Sequence, residues 1–113
     1  MTGGSAYATL RDAIKKKVRV EAYFKNYFRV FCVYAIGSKQ DVPRVLAYQV
    51  GGGDVSGVVT PSHGIWLCMD VADVVGPMHC QGEWVVGSEV PEPARFLDTI
   101  DEVAVLDNQE CSE

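Results

Sequence analysis

The chain has 113 residues, 48% of them hydrophobic and 22% charged, with a formal net charge of −5. That length fits one domain, the composition is globular rather than disordered, and no apolar run approaches the roughly 18 residues a bilayer span requires. Met1 to Ser5 carry neither a basic flank nor an apolar stretch, so they do not read as a secretory signal, and the cytoplasm is the expected location.

Residues 5–17 read as an amphipathic helix. Ser5 offers an N-cap, Ala6, Leu10, Ala13 and Ile14 fall near one face, and Lys15, Lys16 and Lys17 occupy the last turn, where cations favour the helix dipole. From Val18 the period changes to two: Val18, Val20, Ala22 and Phe24 alternate with Arg19, Glu21 and Tyr23, as in a half-buried strand. Lys25-Asn26 predicts a turn, and Tyr27 to Gly37 a second strand, central because both of its faces are apolar. The run from Gly37 to Asp41 turns the chain into a third strand, Arg44 to Val50, which Gly51-Gly52-Gly53 ends in a polar loop. Ile65 to Met69 follows as a strand, with Asp70 capping a short helical turn through Val75. Gly76 to Pro93 reads as a hairpin excursion around Trp84-Val85-Val86. Glu102 to Leu106 supplies the last strand, and residues 107–113 form an acidic tail.

One helix followed by short, closely spaced strands predicts a mainly β fold: a small β-barrel with an N-terminal α-helix and a β-hairpin insertion before the last strand. The whole chain, 1–113, is expected to be one domain, with the helix at 5–17, the barrel at 18–106 and the tail at 107–113.

Charge is divided unevenly. Residues 1–50 carry nine basic residues against three acids, whereas residues 51–113 carry one against twelve. Either a basic face lies beside an acidic one, or the two halves interleave and their fields cancel.

Cys32, Cys68, Cys80 and Cys111 contain no C-x-x-C pair, and no metal or cofactor is expected. The glycine run lacks the G-x-x-x-x-G-K pattern of a phosphate cradle and reads as a loop. A nucleophile, base and orienter could be drawn from Cys68, His63 and Asp70, but nothing in their spacing brings His63 to the other two, so no catalytic residue is expected. Tyr23, Tyr34, Tyr48 and Trp66 lie on four separate strands. In a small barrel such rings can line a shared groove, where Arg29 or Gln49 adds directed hydrogen bonds.

The segments Arg29-Val30-Phe31-Cys32-Val33-Tyr34-Ala35-Ile36-Gly37 and Leu46-Ala47-Tyr48-Gln49-Val50-Gly51-Gly52, then Ser56-Gly57 and Trp66 ahead of an apolar strand, resemble in that order the WYL domain family. The likeness covers roughly residues 8 to 75 and, less clearly, 98 to 106. Cys32 and Val33 stand where the family usually has Glu-Pro, and the helix-turn-helix domain that usually precedes a WYL domain has no counterpart in these 113 residues. The resemblance implies an Sm-like, SH3-like barrel that acts as a non-catalytic sensor. It would bind a negatively charged ligand, such as a nucleotide or single-stranded nucleic acid, through Arg29, Tyr34, Tyr48, Gln49 and Trp66. A protein–protein interaction or self-assembly module, as a homodimer or on a separate regulator, is the alternative; a small hydrolase is a remote third.

Overall fold

The computed structural model describes residues 2–87 and 89–106. The helix α1 spans Thr2–Lys16 and places Leu10, Ala13 and Ile14 in the core. It starts three residues earlier than its sequence pattern predicts. Gly3 and Gly4 disfavour helix by about 1 kcal/mol each, but a first turn adds easily to a helix already fixed by packing. Lys17, at φ 53°, ends it.

Two long hairpins follow. Strand β1 (Arg19–Phe24) turns at Lys25-Asn26 into β2 (Tyr27–Lys39), and β2 turns at Gln40-Asp41 into β3 (Val42–Asp54). All four turn residues have positive φ, the geometry that matches a two-residue turn to the twist of its strands. The second turn is therefore tighter than the five-residue loop expected there. β3 also outruns its prediction at both ends, because Gly51-Gly52-Gly53 continue the strand. Gly52 pairs with Arg29 at φ +83°, and a Cβ there would collide with the Phe28 carbonyl, so only glycine fits.

Beyond β4 (Gly57–Val58), β5 (Ile65–Asp70) leads through a 3-10 turn (Val71–Asp73) into β6 (Val75–Cys80). A second 3-10 turn (Pro93–Arg95) precedes β7 (Thr99–Val103). The sheet is antiparallel, ordered β4-β3-β2-β1-β6, with β5 also on β3 and β7 also on β2. It curls into a half-barrel around Phe31, Val33, Ala35, Val45, Ala47 and Met69, with α1 packed on it. Register shifts leave Tyr34 of β2 and Val50 of β3 as extra residues, and such bulges bend the strands. As expected from its two apolar faces, β2 is central.

Two elements differ from their sequence pattern. The hairpin around Trp84 does not form: residues 82–87 carry no strand, and the strand of this region is β6, just upstream. β6 contains Gly76 and Pro77, residues unfavourable to a strand, yet an outer strand tolerates a residue without an N–H. The last strand is Thr99–Val103 rather than 102–106, and the expected acidic tail, 107–113, lies outside the described residues. Among the described residues, no helix is long and apolar enough to cross a membrane.

The contact between α1 and β7 is polar. The Tyr7 hydroxyl donates to Asp101 Oδ2 at 2.8 Å, and burial together with that carboxylate pushes its pKa up to about 12. A phenol that holds its proton more tightly when folded stabilises the fold fully below its unfolded pKa of about 10, and that contribution is lost as pH rises towards 12. A Tyr7→Phe protein should therefore lose less stability between pH 10 and 12 than the parent. Ultraviolet titration of the tyrosines should show one late-ionising phenol fewer.

Candidate functional site

The five residues expected to bind ligand fall into two groups. Tyr48 and Gln49 are neighbours on β3, so their side chains leave opposite faces of the strand. Everything else about the site follows from that division.

On one face, Arg29 is 3% exposed and Gln49 is fully buried. The guanidinium donates through Nε to the Phe24 carbonyl at 2.9 Å, and through Nη1 to Gln49 Oε1 at 3.0 Å and Asp54 Oδ1 at 3.2 Å. It lies over the rings of Phe24 and Tyr27, 5.3 Å from each. The Gln49 amide donates to the carbonyls of Gly51 and Gly53, at 2.8 and 3.0 Å. Arg29 and Gln49 therefore do not rim a groove, contrary to the expected geometry. A buried guanidinium must find acceptors, and this one finds them in its own hairpin and the end of β3. Asp54 feels opposing effects: desolvation raises its pKa, but hydrogen bonds from Ser56 and Arg29, with the guanidinium charge, outweigh it and hold the carboxyl below its usual range.

The other three residues do meet. Trp66 pairs with Tyr48 across β5 and β3, their ring centroids 5.2 Å apart, and Tyr34 meets Trp66 edge-on at 5.8 Å. Tyr34 and Tyr48 are each 7% exposed, and Trp66 is half-buried. The Tyr48 hydroxyl donates to the Pro61 carbonyl at 3.3 Å. Gly64 and Gly87 both lie against the hydroxyl end of its ring; a Cβ on Gly87 would come within 2.8 Å of Cε1. Beneath residues 82–87, Cys32, Tyr48 and Val50 form a small apolar cluster with Trp84, Val85 and Val86 packed on it. Tyr23, the fourth aromatic, stands apart on the outer surface against Phe28.

Sequence reasoning missed this covering segment. Its signal, an apolar triplet between glycines, was visible but is equally that of a short strand.

The basic half of the chain is paired with the acidic half. Arg11 meets Asp101, Arg29 Asp54, Lys39 Asp98 and Arg44 Asp70, all within 3.9 Å. Of the two alternatives for charge, interleaving describes these residues.

The remaining chemistry is dispersed. Burial raises the Cys68 thiol pKa, and His63 Nδ1 contacts Ser62 Oγ at 3.1 Å. Among the described residues, no hydrogen bond joins His63 to Cys68 or Asp70, and no three His, Cys, Asp or Glu side chains are grouped to hold a metal. Cys32, Cys68 and Cys80 are free thiols. A groove of about 660 Å³ opens between α1, the start of β3 and β6, lined by Tyr7, Val42, Val71, Val74 and Pro77 among others, and none of the five expected residues lines it. No family model, curated protein or solved structure matches the chain.

Breaking the buried network should be costly. Arg29→Ala strands the Gln49 and Asp54 acceptors and should lower folding stability by roughly 3 kcal/mol, measured by urea denaturation. The depressed Asp54 pKa contributes stability that is present above the unfolded carboxylate pKa of about 4 and lost as pH falls below it. Asp54→Asn should therefore flatten the acid limb of the stability–pH curve.

Proposed function

We propose that the chain is a non-catalytic ligand-binding domain, an Sm-like barrel of the WYL type, whose ligand is a nucleotide or a short single-stranded nucleic acid stacked on Trp66. The observation that carries this reading is the meeting of Tyr34, Tyr48 and Trp66, from three strands, in one aromatic cluster whose tryptophan is only partly buried. Aromatic faces accept any base and contribute about 1–3 kcal/mol per stacked base. Strand connectivity supports the barrel: β1, β2, β3 and β5 follow one another across the sheet, then a 3-10 turn carries the chain to β6, which pairs back on β1.

Arg29 and Gln49 enter this reading as positioning residues. Their network fixes the end of β3 and leaves no guanidinium nitrogen in the aromatic row. Arg11, Lys39 and Arg44 are also paired to acids, so this reading relies on stacking rather than on phosphate contacts.

Titration of tryptophan fluorescence with oligo-dT and with AMP tests the reading. Binding should quench the signal, and Trp66→Ala should weaken it about tenfold or more. The affinity should change little with salt, because few phosphate contacts mean few released counterions. No binding of either ligand, or unchanged affinity in Trp66→Ala, would remove the proposal.

One observation favours a second reading, self-association. Phe28, Tyr23 and Val75 sit side by side across β2, β1 and β6, each more than 40% exposed, and Met78 lies next along β6. Light scattering during size exclusion should then show a dimer that Tyr23→Glu dissociates. A strict monomer at high concentration excludes it.

A further inference from the structure

A row of paired residues crosses five strands of the sheet on one face: Trp66, Tyr48, Cys32, Arg19 and Cys80, on β5, β3, β2, β1 and β6. Residues 82–87 run along this row in the opposite direction. Gly82 lies against the Arg19 side chain, and the Glu83 carbonyl accepts from Arg19 Nε at 2.7 Å. The Val85 N–H points to Cys32 Sγ at 3.4 Å, and Gly87 ends the passage on the Tyr48 ring. The Trp84 indole donates to the Val33 carbonyl at 3.2 Å, with Lys17 Nζ over its ring.

This cover is held differently from everything beneath it. Among the described residues, no backbone-to-backbone hydrogen bond ties residues 82–87 to the sheet; each polar tie uses a side chain. The floor, by contrast, is a continuous ladder. Segments that lack ladder bonds sit at the low end of local opening free energies, and their release exposes little surface compared with unfolding. Gly82 has φ +131°, a conformation that favours glycine, and so provides a pivot at the start of the segment.

We propose that residues 82–87 form a strap that lifts from the sheet as a unit, ahead of unfolding, and so gives access to the Cys32–Tyr48–Trp66 row. The consequence for ligand rests on the function proposed above: a base reaches the Tyr48 side of the indole only when the strap is raised. The observed affinity is then reduced by the fraction of molecules in which it is raised.

Cys32 reports opening directly, because it is fully buried beneath the strap. In a protein with Cys68, Cys80 and Cys111 changed to serine, reaction with an aromatic disulfide reagent is followed as urea is raised below the unfolding transition. The strap predicts a rate nearly independent of urea, since little surface is exposed on opening. Gly87→Ala should raise that rate at least tenfold, because its methyl cannot lie on the Tyr48 ring. Trp84→Leu, which removes the bond to Val33, should also raise it, and serves if Gly87→Ala does not fold. A rate that climbs with urea in step with global unfolding overturns the strap, as does a folded Gly87→Ala protein that reacts no faster than the parent.

Oligo-dT separates the two readings. With the strap established by labelling, tighter binding in Gly87→Ala supports gating, and absence of binding in every variant removes the stacking function while leaving the strap in place.

Discussion

The structure depends on how it accommodates one buried charge. Arg29 cannot be neutralised, so burial to 3% exposure commits the fold to supplying it with acceptors. They come from the Phe24 carbonyl in the preceding strand, Gln49 in the next, and Asp54 at the far end of β3. Their positions require β3 to continue as strand past Val50, although three consecutive glycines would otherwise favour a loop. Gly51 and Gly53 then return the constraint, since their carbonyls hold the Gln49 amide in the orientation that offers its oxygen to Arg29. The glycines are thus part of a polar network, with Gly52 at positive φ where a Cβ would meet the Phe28 carbonyl.

That network also determines what the opposite face of β3 can be. With Gln49 committed inward, Tyr48 is aimed at the other side, directly across from Trp66 and Cys32. Two bulges adjust the pattern: Val50 is the extra residue of β3, and Tyr34 that of β2, which brings Tyr34 to the edge of the Trp66 ring. The aromatic cluster is therefore a consequence of register as much as of composition. Gly64 and Gly87 complete it by leaving room for the hydroxyl end of the Tyr48 ring.

Much of this was legible in the sequence, for identifiable reasons. The helix, the alternation of β1, the centrality of β2 and the span of β5 are written in local periodicity, whereas the helical turn after β5 ends two residues short of Val75, which already belongs to β6. The sequence pattern puts four rings in one groove with Arg29 and Gln49; three of them meet, Tyr23 stands apart, and Arg29 and Gln49 lie on the other face. Adjacent residues on a strand must diverge, and that rule alone separates Tyr48 from Gln49; the partner of Arg29 at Asp54, twenty-five residues away, had no local signal. β6 was hidden because Gly76 and Pro77 are unfavourable to a strand, and only pairing with β1 makes it one. The strap was hidden for the converse reason. Trp84-Val85-Val86 has strand composition, yet its burial comes from lying flat on side chains rather than from pairing.

Charge pairing restricts the kind of ligand that stacking can recruit. Four cations of the basic half are matched with acids of the other half, so the +6 of residues 1–50 is not gathered on one uncompensated face of a chain whose formal net charge is −5. Fields between exposed charges fade over about 8–10 Å at ordinary ionic strength, and within that range a net-negative chain opposes a polyphosphate backbone. A long nucleic acid would accumulate this repulsion at every phosphate while gaining stacking only where a base meets the indole. A mononucleotide or a short single strand keeps the stacking term and incurs little of the repulsion. On the proposed function, Trp66 would therefore be better suited to reading one or two bases than to tracking a backbone, and discrimination at such a site would come from ring shape and from the groups that line its rim.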